Sequence, residues 1–283
     1  MKKLILGIPA GSLQESSIKI LEKMGLRIMI NGRNFIAEIE GSELFVKAII
    51  MRPNDLPFAL ASGVVDAIIT GRDMLMESRL ADSLHVIREL NFSKKSRTPT
   101  RVIVFCRQND SDEIEDSDEI NVSSEFQQLA IKIFSKANVV FSSGSTEIKV
   151  ADARFGFRYG VGVTETGKSL ADNGLKIVKT IMISPVVFVA RKKTEEFEIF
   201  GKLLEGVLLA ENYQLVKFNI STENVADLVK NIPSLQAPTI SNLSNGMIAI
   251  ETVVAKDKLV DTLITIKKRE GRGILVQNIS VMT

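Results

Sequence analysis

Over the first 100 residues, short apolar runs alternate with stretches of helical period, as strands and helices alternate in an α/β sheet. Leu4–Ile8, Leu44–Met51 and Val65–Ile69 read as strands, and Ser12–Met24 as a helix carrying Ile18, Leu21 and Met24 on one face. Ser12 and Glu15 have the spacing of a capping box, and Gly25 stands where that helix must stop. The chain thus opens with a strand, a glycine-containing turn and a helix N-terminus.

Asn109–Glu119 holds seven acidic residues in eleven and almost nothing apolar, which predicts a solvated loop, since packed surfaces seldom consist of like charges alone. After it, Phe126, Leu129, Ile131, Ile133 and Phe134 suggest a helix, and Asn138–Phe141 a strand. Strands Ile177–Ile183 and Val186–Ala190 would carry the chain back to the first lobe. Thr194–Leu209 has a helical period, with Glu195, Glu196 and Glu198 in its first turns, where the helix dipole favours anions. Beyond it the pattern is strand Leu215–Ile220, helix Glu223–Asn231, strand Thr239–Leu243, strand Met247–Ala255, helix Lys258–Lys268 and strand Gly273–Ile279. That order, βαββαβ, is ferredoxin-like. By analogy alone, such a unit suits a small-molecule regulatory role.

Composition acts mainly by exclusion. The chain has 283 residues, 45% of them hydrophobic, and Lys+Arg 36 against Asp+Glu 34. The length suits two or three domains, and the composition excludes disordered and collagen-like classes. A net charge of +2 argues against a nucleic-acid partner, which demands a strong basic excess. The single cysteine, Cys106, has no internal partner, and no Cys/His cluster has metal-ligand spacing. The apolar run at Leu4-Ile5-Leu6 is shorter than the roughly 7–15 residues of a signal h-region. The densest apolar window, Ile181–Ala190, is interrupted by Pro185 and falls short of the roughly 20 residues of a membrane span. The expectation is a soluble, cytoplasmic protein without a membrane partner.

Gly162-Val163-Thr164-Glu165-Thr166-Gly167-Lys168-Ser169 satisfies the nucleoside-triphosphatase pattern G-x-x-x-x-G-K-[ST]. Its context argues against that reading, because it lies past mid-chain and the following strand ends in Ser184-Pro185 rather than in a magnesium-binding Asp. Thr166-Gly167-Lys168-Ser169 before the helix-compatible Leu170-Ala171-Asp172 still has the chemistry of an anion cradle. Glu165 beside it would suit ribose hydroxyls, which makes a sugar phosphate the better ligand. An ordinary capped turn is the plainer alternative.

Thr164-Glu165-Thr166-Gly167-Lys168-Ser169-Leu170, with Asn173-Gly174-Leu175 after it, resembles the phosphoribosyl pyrophosphate loop of the ATP phosphoribosyltransferase family, which opens histidine biosynthesis. Leu6-Gly7-Ile8-Pro9-Ala10-Gly11-Ser12-Leu13, Asn31-Gly32-Arg33, Arg52-Pro53-Asn54-Asp55-Leu56-Pro57, Gly63–Asp73, Gly144-Ser145-Thr146-Glu147 and Ala237-Pro238-Thr239-Ile240-Ser241 resemble further motifs of that family, in the same order. The resemblance spans nearly the whole chain and includes the C-terminal domain of the family's long form. Three departures stand out. The family usually has Lys where Ala10 stands, Thr-Glu-Tyr-Pro where Ser124-Glu125-Phe126-Gln127 stands, and acidic residues just before the loop, where Arg158 and Gly162 stand.

The resemblance implies a two-lobed, periplasmic-binding-protein-like α/β catalytic region followed by a ferredoxin-like (ACT-like) domain. It places lobe I at 1–95 and 179–211, lobe II at 96–178 and a histidine-binding regulatory domain at 212–283. It implies a pentosyltransferase that condenses ATP with phosphoribosyl pyrophosphate, with Mg²⁺ on the pyrophosphate, inhibition by histidine, and assembly into dimers and hexamers. Thr164, Glu165, Thr166, Gly167, Lys168, Ser169 and Leu170 would hold phosphoribosyl pyrophosphate. Glu147 and Glu165 would be the catalytic carboxylates. Gly11, Arg33, Arg52, Asp66, Thr70, Gly71 and Asp73 would serve ATP, and Asn219, Thr239 and Ser241 would hold histidine. A non-catalytic two-lobed binding protein and a degenerate regulatory paralogue are the alternatives.

Blander readings remain beside these. Asp66 could cap the turn that follows it, and Arg33 and Arg52 could pair with surface carboxylates instead of clamping phosphates bidentately. His85, the one histidine, reads as structural, Cys106 as a buried small hydrophobe, and Lys267-Lys268-Arg269 as the cationic end of a helix.

Overall fold

The computed structural model describes residues 3–30, 32, 34–90, 92, 100–244 and 246–283. The chain divides into two compact units, Met1–Gly201 and Lys202–Thr283.

The first unit runs β1 (Leu4–Pro9), α1 (Gln14–Lys23), β2 (Arg27–Met29), β3 (Ile36–Glu40), β4 (Phe45–Met51), α2 (Leu56–Ser62), β5 (Ala67–Gly71), α3 (Arg72–Glu77), β6 (His85–Leu90), β7 (Thr100–Arg107), β8 (Asn121–Ser124), α4 (Gln127–Ile131), β9 (Asn138–Phe141), α5 (Thr146–Ala151), β10 (Tyr159–Thr164), α6 (Lys168–Asp172), β11 (Leu175–Ser184), β12 (Val186–Ala190) and the first part of α7 (Glu195–Ala210), whose remainder belongs to the second unit. Two sheets result, ordered β2-β3-β4-β1-β5-β12-β6 and β11-β7-β10-β8-β9. Each is the centre of one lobe. In the first, β1 is parallel to β4 and β5. In the second, β10, β8 and β9 are parallel.

The wholly apolar sequence of β12 follows from cover on both faces. Val187 and Val189 pack with Leu56, Leu60 and Leu75 of α2 and α3. Phe188, pointing the other way, meets Phe200 of α7 at 5.5 Å between ring centroids, and Phe45 meets the same ring at 4.8 Å.

Three expectations need correction. The capping box does not form: α1 begins at Gln14 after Leu13, with no side-chain cap, and Glu15 instead pairs with Lys19 at 2.5 Å. Val65 precedes β5, which runs on to Gly71. The return to the first lobe comes at Pro185 rather than at 179, since β11 pairs with β7 through Ser184. The acidic segment is the irregular, largely exposed loop expected, and it is also anchored. Asp110 pairs with Arg158 at 2.7 Å and Arg107 at 3.2 Å, and the Tyr159 hydroxyl donates to Glu113 O and accepts from Glu115 N–H. Asp116 accepts the backbone N–H groups of Ser135, Lys136 and Ala137, each at 2.9 Å. Desolvation pushes the Asp116 carboxyl upward, but those N–H groups and the Ser135 hydroxyl outweigh it and hold its pKa at about 2. Asp110, Asp112 and Asp116 each find an opposite charge or a donor.

The second unit contains β13 (Tyr213–Ser221), α8 (Thr222–Asn231), β14 (Thr239–Asn242), β15 (Met247–Ala255), α9 (Leu259–Lys268) and β16 (Arg272–Asn278). Its antiparallel sheet is ordered β14-β15-β13-β16, the ferredoxin-like arrangement. Val216, Phe218, Ile220, Ile248 and Ile250 face Leu228 of α8 and Ile266 of α9.

Candidate active site

Parallel strands deliver their following loops to one edge, which is where α/β sheets bind ligands. In the first lobe, β1, β4 and β5 bring Gly11, Arg52 and the Thr70–Asp73 turn to that edge. Gly11 has φ +81° and opens a short 3₁₀ turn into α1. Arg52 is exposed, with a turn closed by Asp55 N–H on its carbonyl at 2.9 Å. Thr70 is fully buried, its hydroxyl 3.5 Å from Pro53 O. The Asp73 carboxylate accepts from Met74 N–H at 2.9 Å and folds back over Gly71, where any Cβ would strike it. Arg33 lies outside the described residues.

Asp66 does not join this group. It precedes β5 and accepts the N–H of Ile5 at 2.9 Å, so it lies at the amino end of the sheet, with Arg191 3.7 Å away. Both line a separate cavity of about 570 Å³ with Lys192 and Glu196. One strand separates Asp66 from Thr70, and a strand has two ends.

In the second lobe, the parallel strands β10, β8 and β9 end at Thr164, Ser124 and Phe141. The loop after β10 is built on Gly167, whose φ of +78° lies in the left-handed region. Its N–H turns inward to the Thr164 hydroxyl at 2.9 Å. Leu170 is buried with Ile103, Phe105, Val150 and Leu175 and anchors the loop. Thr166, Lys168 and Ser169 remain exposed. Gly162 lies inside β10 opposite Ile103, so the nucleoside-triphosphatase pattern does not form one loop. Glu147 sits in the first turn of α5, after a turn braced by Lys149 on the Ser142 hydroxyl at 2.8 Å.

The two edges meet. Gly11, Ser12 and Glu15 from the first lobe and Thr100, Thr164 and Glu165 from the second line one cavity of about 590 Å³. Sequence reasoning missed Glu15 and Thr100 as lining residues. Glu15 was spent on a cap, and Thr100 carries no local signal. Among the described residues, no group of three or more His, Cys, Asp or Glu could hold a metal ion. Glu15 and Glu165 are the carboxylates that line this cavity, and Glu15 is already paired with Lys19.

In the second unit, Asn219 and Ser241 both pair with Ala249 of β15, and Thr239 pairs with Glu251, which bridges to Lys217 at 3.0 Å. All three alternate with the core-facing positions and so share the sheet face away from the helices.

Two α/β lobes with loop-bearing carboxyl edges on one cavity, followed by a ferredoxin-like unit, define a two-lobed protein with its ligand cleft between lobes. Residues 52–208 match the family described as HisG, ATP phosphoribosyltransferase, and residues 210–281 match HisG, C-terminal domain. The ATP phosphoribosyltransferase of Chlorobaculum parvum is 33% identical, covering 97% of this chain and 96% of its own. ATP phosphoribosyltransferase 1 of Geobacter sulfurreducens is 32% identical, covering 95% of each. The chain belongs to the ATP phosphoribosyltransferase family, in the form that carries the C-terminal domain. The ATP phosphoribosyl transferase (HisG:HisZ) complex from Thermotoga maritima shares the fold, with a TM-score of 0.60 at 23% identity over 73% of this chain and 98% of that one.

Proposed function

We propose that the protein transfers a phosphoribosyl group to ATP: N1 of adenine forms a bond to C1 of phosphoribosyl pyrophosphate as the C1–O bond to pyrophosphate breaks, with inversion, giving phosphoribosyl-ATP. The observation that carries this reading is the meeting of Gly11–Ser12 with Thr164–Glu165 across one cavity. A family whose relatives are named as enzymes favours catalysis over the binding-protein alternative.

The reaction needs positioning and charge rather than a strong base. Holding two polyanions in line supplies up to roughly 7–11 kcal/mol of the barrier. The hydroxyls of Thr166 and Ser169 and the Lys168 ammonium take the 5′-phosphate, while the Lys168 N–H donates weakly to the Thr166 hydroxyl at 3.4 Å. Gly167 contributes its left-handed backbone rather than its N–H, which Thr164 already holds, and Leu170 fixes the loop to the core. Glu165 and Glu147 face the ribose hydroxyls and the substrate-borne cation. Gly11, Arg52, Thr70, Gly71 and Asp73 are assigned to the nucleotide and pyrophosphate side, as is Arg33 on the family resemblance alone. Charge on the departing pyrophosphate would be neutralised by Mg²⁺ carried in with the substrate.

Histidine binding belongs to the second unit, on the face carrying Asn219, Thr239 and Ser241. Asn219 is neutral where an acid would better meet an amino group or imidazole. We further place the protein in the cytoplasm as a homo-oligomer, dimeric and hexameric as the family resemblance implies. Among the described residues, no helix is long and apolar enough to cross a membrane. The test is formation of phosphoribosyl-ATP from the two substrates, with pyrophosphate removed enzymatically. A folded protein that forms none contradicts the reading.

A further inference from the structure

Helix α3 belongs to the first lobe by sequence, yet it touches both. Leu75 is buried in the first-lobe core, while Met74 and Met76 pack against the second-lobe core around Val104, Phe126 and Leu129. At the start of α3, Asp73 N–H donates to the hydroxyl of Ser184, the last residue of β11, at 2.8 Å. At its end, the Glu77 carboxylate accepts Gln128 N–H on both oxygens, at 2.9 and 3.0 Å, and Leu129 N–H at 3.1 Å. Each end of this strut adjoins the carboxyl edge of one lobe's sheet. The Gly71–Asp73 turn is a first-lobe edge loop, and α4 directly follows the β8 edge turn Ser124–Phe126.

We propose that Glu77 is a positioning residue for phosphoribosyl transfer, which grips the backbone of α4 and so fixes the second-lobe loops against the first-lobe loops before substrate arrives. The inference rests on the function proposed above. A carboxylate is the acceptor that suits adjacent N–H donors, because it offers lone pairs on both oxygens and no hydrogen. Burial pushes the Glu77 carboxyl above the ordinary range, opposed by the N–H groups of Gln128, Leu129 and Gln127. A cleft set in advance spares the substrates the ordering of two lobes. Glu77 touches no substrate in this account and acts only through α4.

Glu77→Gln keeps the volume but turns an NH₂ donor toward N–H donors. In the full-length protein, amide hydrogen exchange at Gln128 and Leu129 should accelerate at least about tenfold, as expected for loss of one charge-assisted anchor. The KM for phosphoribosyl pyrophosphate should rise at least about fivefold with kcat within about twofold. Ser184→Ala, at the other end of the strut, should shift KM in the same direction by less, and it serves as the probe if Glu77→Gln does not fold. Unchanged exchange in Glu77→Gln overturns the clasp itself. Accelerated exchange with unchanged KM overturns the positioning role. Absence of turnover in the wild type overturns the functional reading instead, and the exchange measurement then decides the clasp alone.

Discussion

The Asp66 carboxylate accepts the backbone N–H of Ile5 at 2.9 Å, joining the starts of two parallel strands at the end of the sheet opposite the cleft. Its neighbours in the motif, Thr70, Gly71 and Asp73, emerge at the other end. One contiguous stretch of sequence therefore carries a structural tie at one end of β5 and the entry into α3 at the other.

Asp66→Ala should leave the Ile5 N–H without its side-chain acceptor and destabilise the protein by roughly 1–3 kcal/mol. The KM for ATP should stay within about twofold of wild type. Denaturant melts and steady-state kinetics check both, and a large KM change with normal stability would return Asp66 to the nucleotide site.

Gly167→Val forces a branched side chain into a left-handed backbone conformation, at φ +78°, against Ile177 Cδ1, which a Cβ would approach to 3.2 Å. The left-handed conformation alone costs about 1–2 kcal/mol. Turnover should be lost, with phosphoribosyl pyrophosphate affinity sharply reduced in calorimetry. Near-normal affinity would remove the loop from the site.

Tyr159→Phe removes the hydroxyl that joins Glu113 and Glu115. Stability should fall by about 1 kcal/mol, and exchange at the Glu115 amide should rise. An unchanged melting temperature together with an unchanged Glu115 exchange rate would show that the acidic segment does not depend on this anchor.

Asp116 sets an acid limit. Its folded pKa, about 2, lies below its ordinary 3.8, so the stability it contributes is fully present above 3.8. That contribution is lost as pH falls through about 2. Asp116→Asn should flatten the decline of stability between these values. An identical acid profile in wild type and variant would show that the three N–H bonds do not hold a charged carboxylate in solution.

Much of this architecture is legible in the sequence wherever one period governs a long segment. The α7 stripe with Phe197 and Phe200, and the alternation along β13 and β15, are such cases. Illegible elements are short or governed by distant partners. β10 contains Gly160 and Gly162, and glycine inside a strand weakens its local signal. The Phe105 ring lies where a Cβ at position 160 would stand, so the glycine serves packing rather than a turn. α4 spans only Gln127–Ile131 and is held by Glu77, 51 residues away, a tie that no local pattern can signal. The turn at Thr164–Leu170 is legible as a turn because its glycine and hydroxyl chemistry is local. Glu15 and Thr100 are not legible as lining residues, because the cleft between two lobes is assembled by topology.

Regulation is tested on the second unit's open face. L-histidine should inhibit non-competitively towards ATP, since an effector acts by its differential affinity for a less active state. Ser241→Leu, at an exposed strand position, should abolish histidine binding in calorimetry. Undiminished binding in that variant would move the effector elsewhere.

The most direct measurement is forward synthesis by the purified, full-length protein, followed by the absorbance of phosphoribosyl-ATP with pyrophosphatase present. The account predicts product formation that requires ATP, phosphoribosyl pyrophosphate and Mg²⁺ together and ceases when any one is omitted. A folded protein that binds both substrates yet yields no phosphoribosyl-ATP would contradict it.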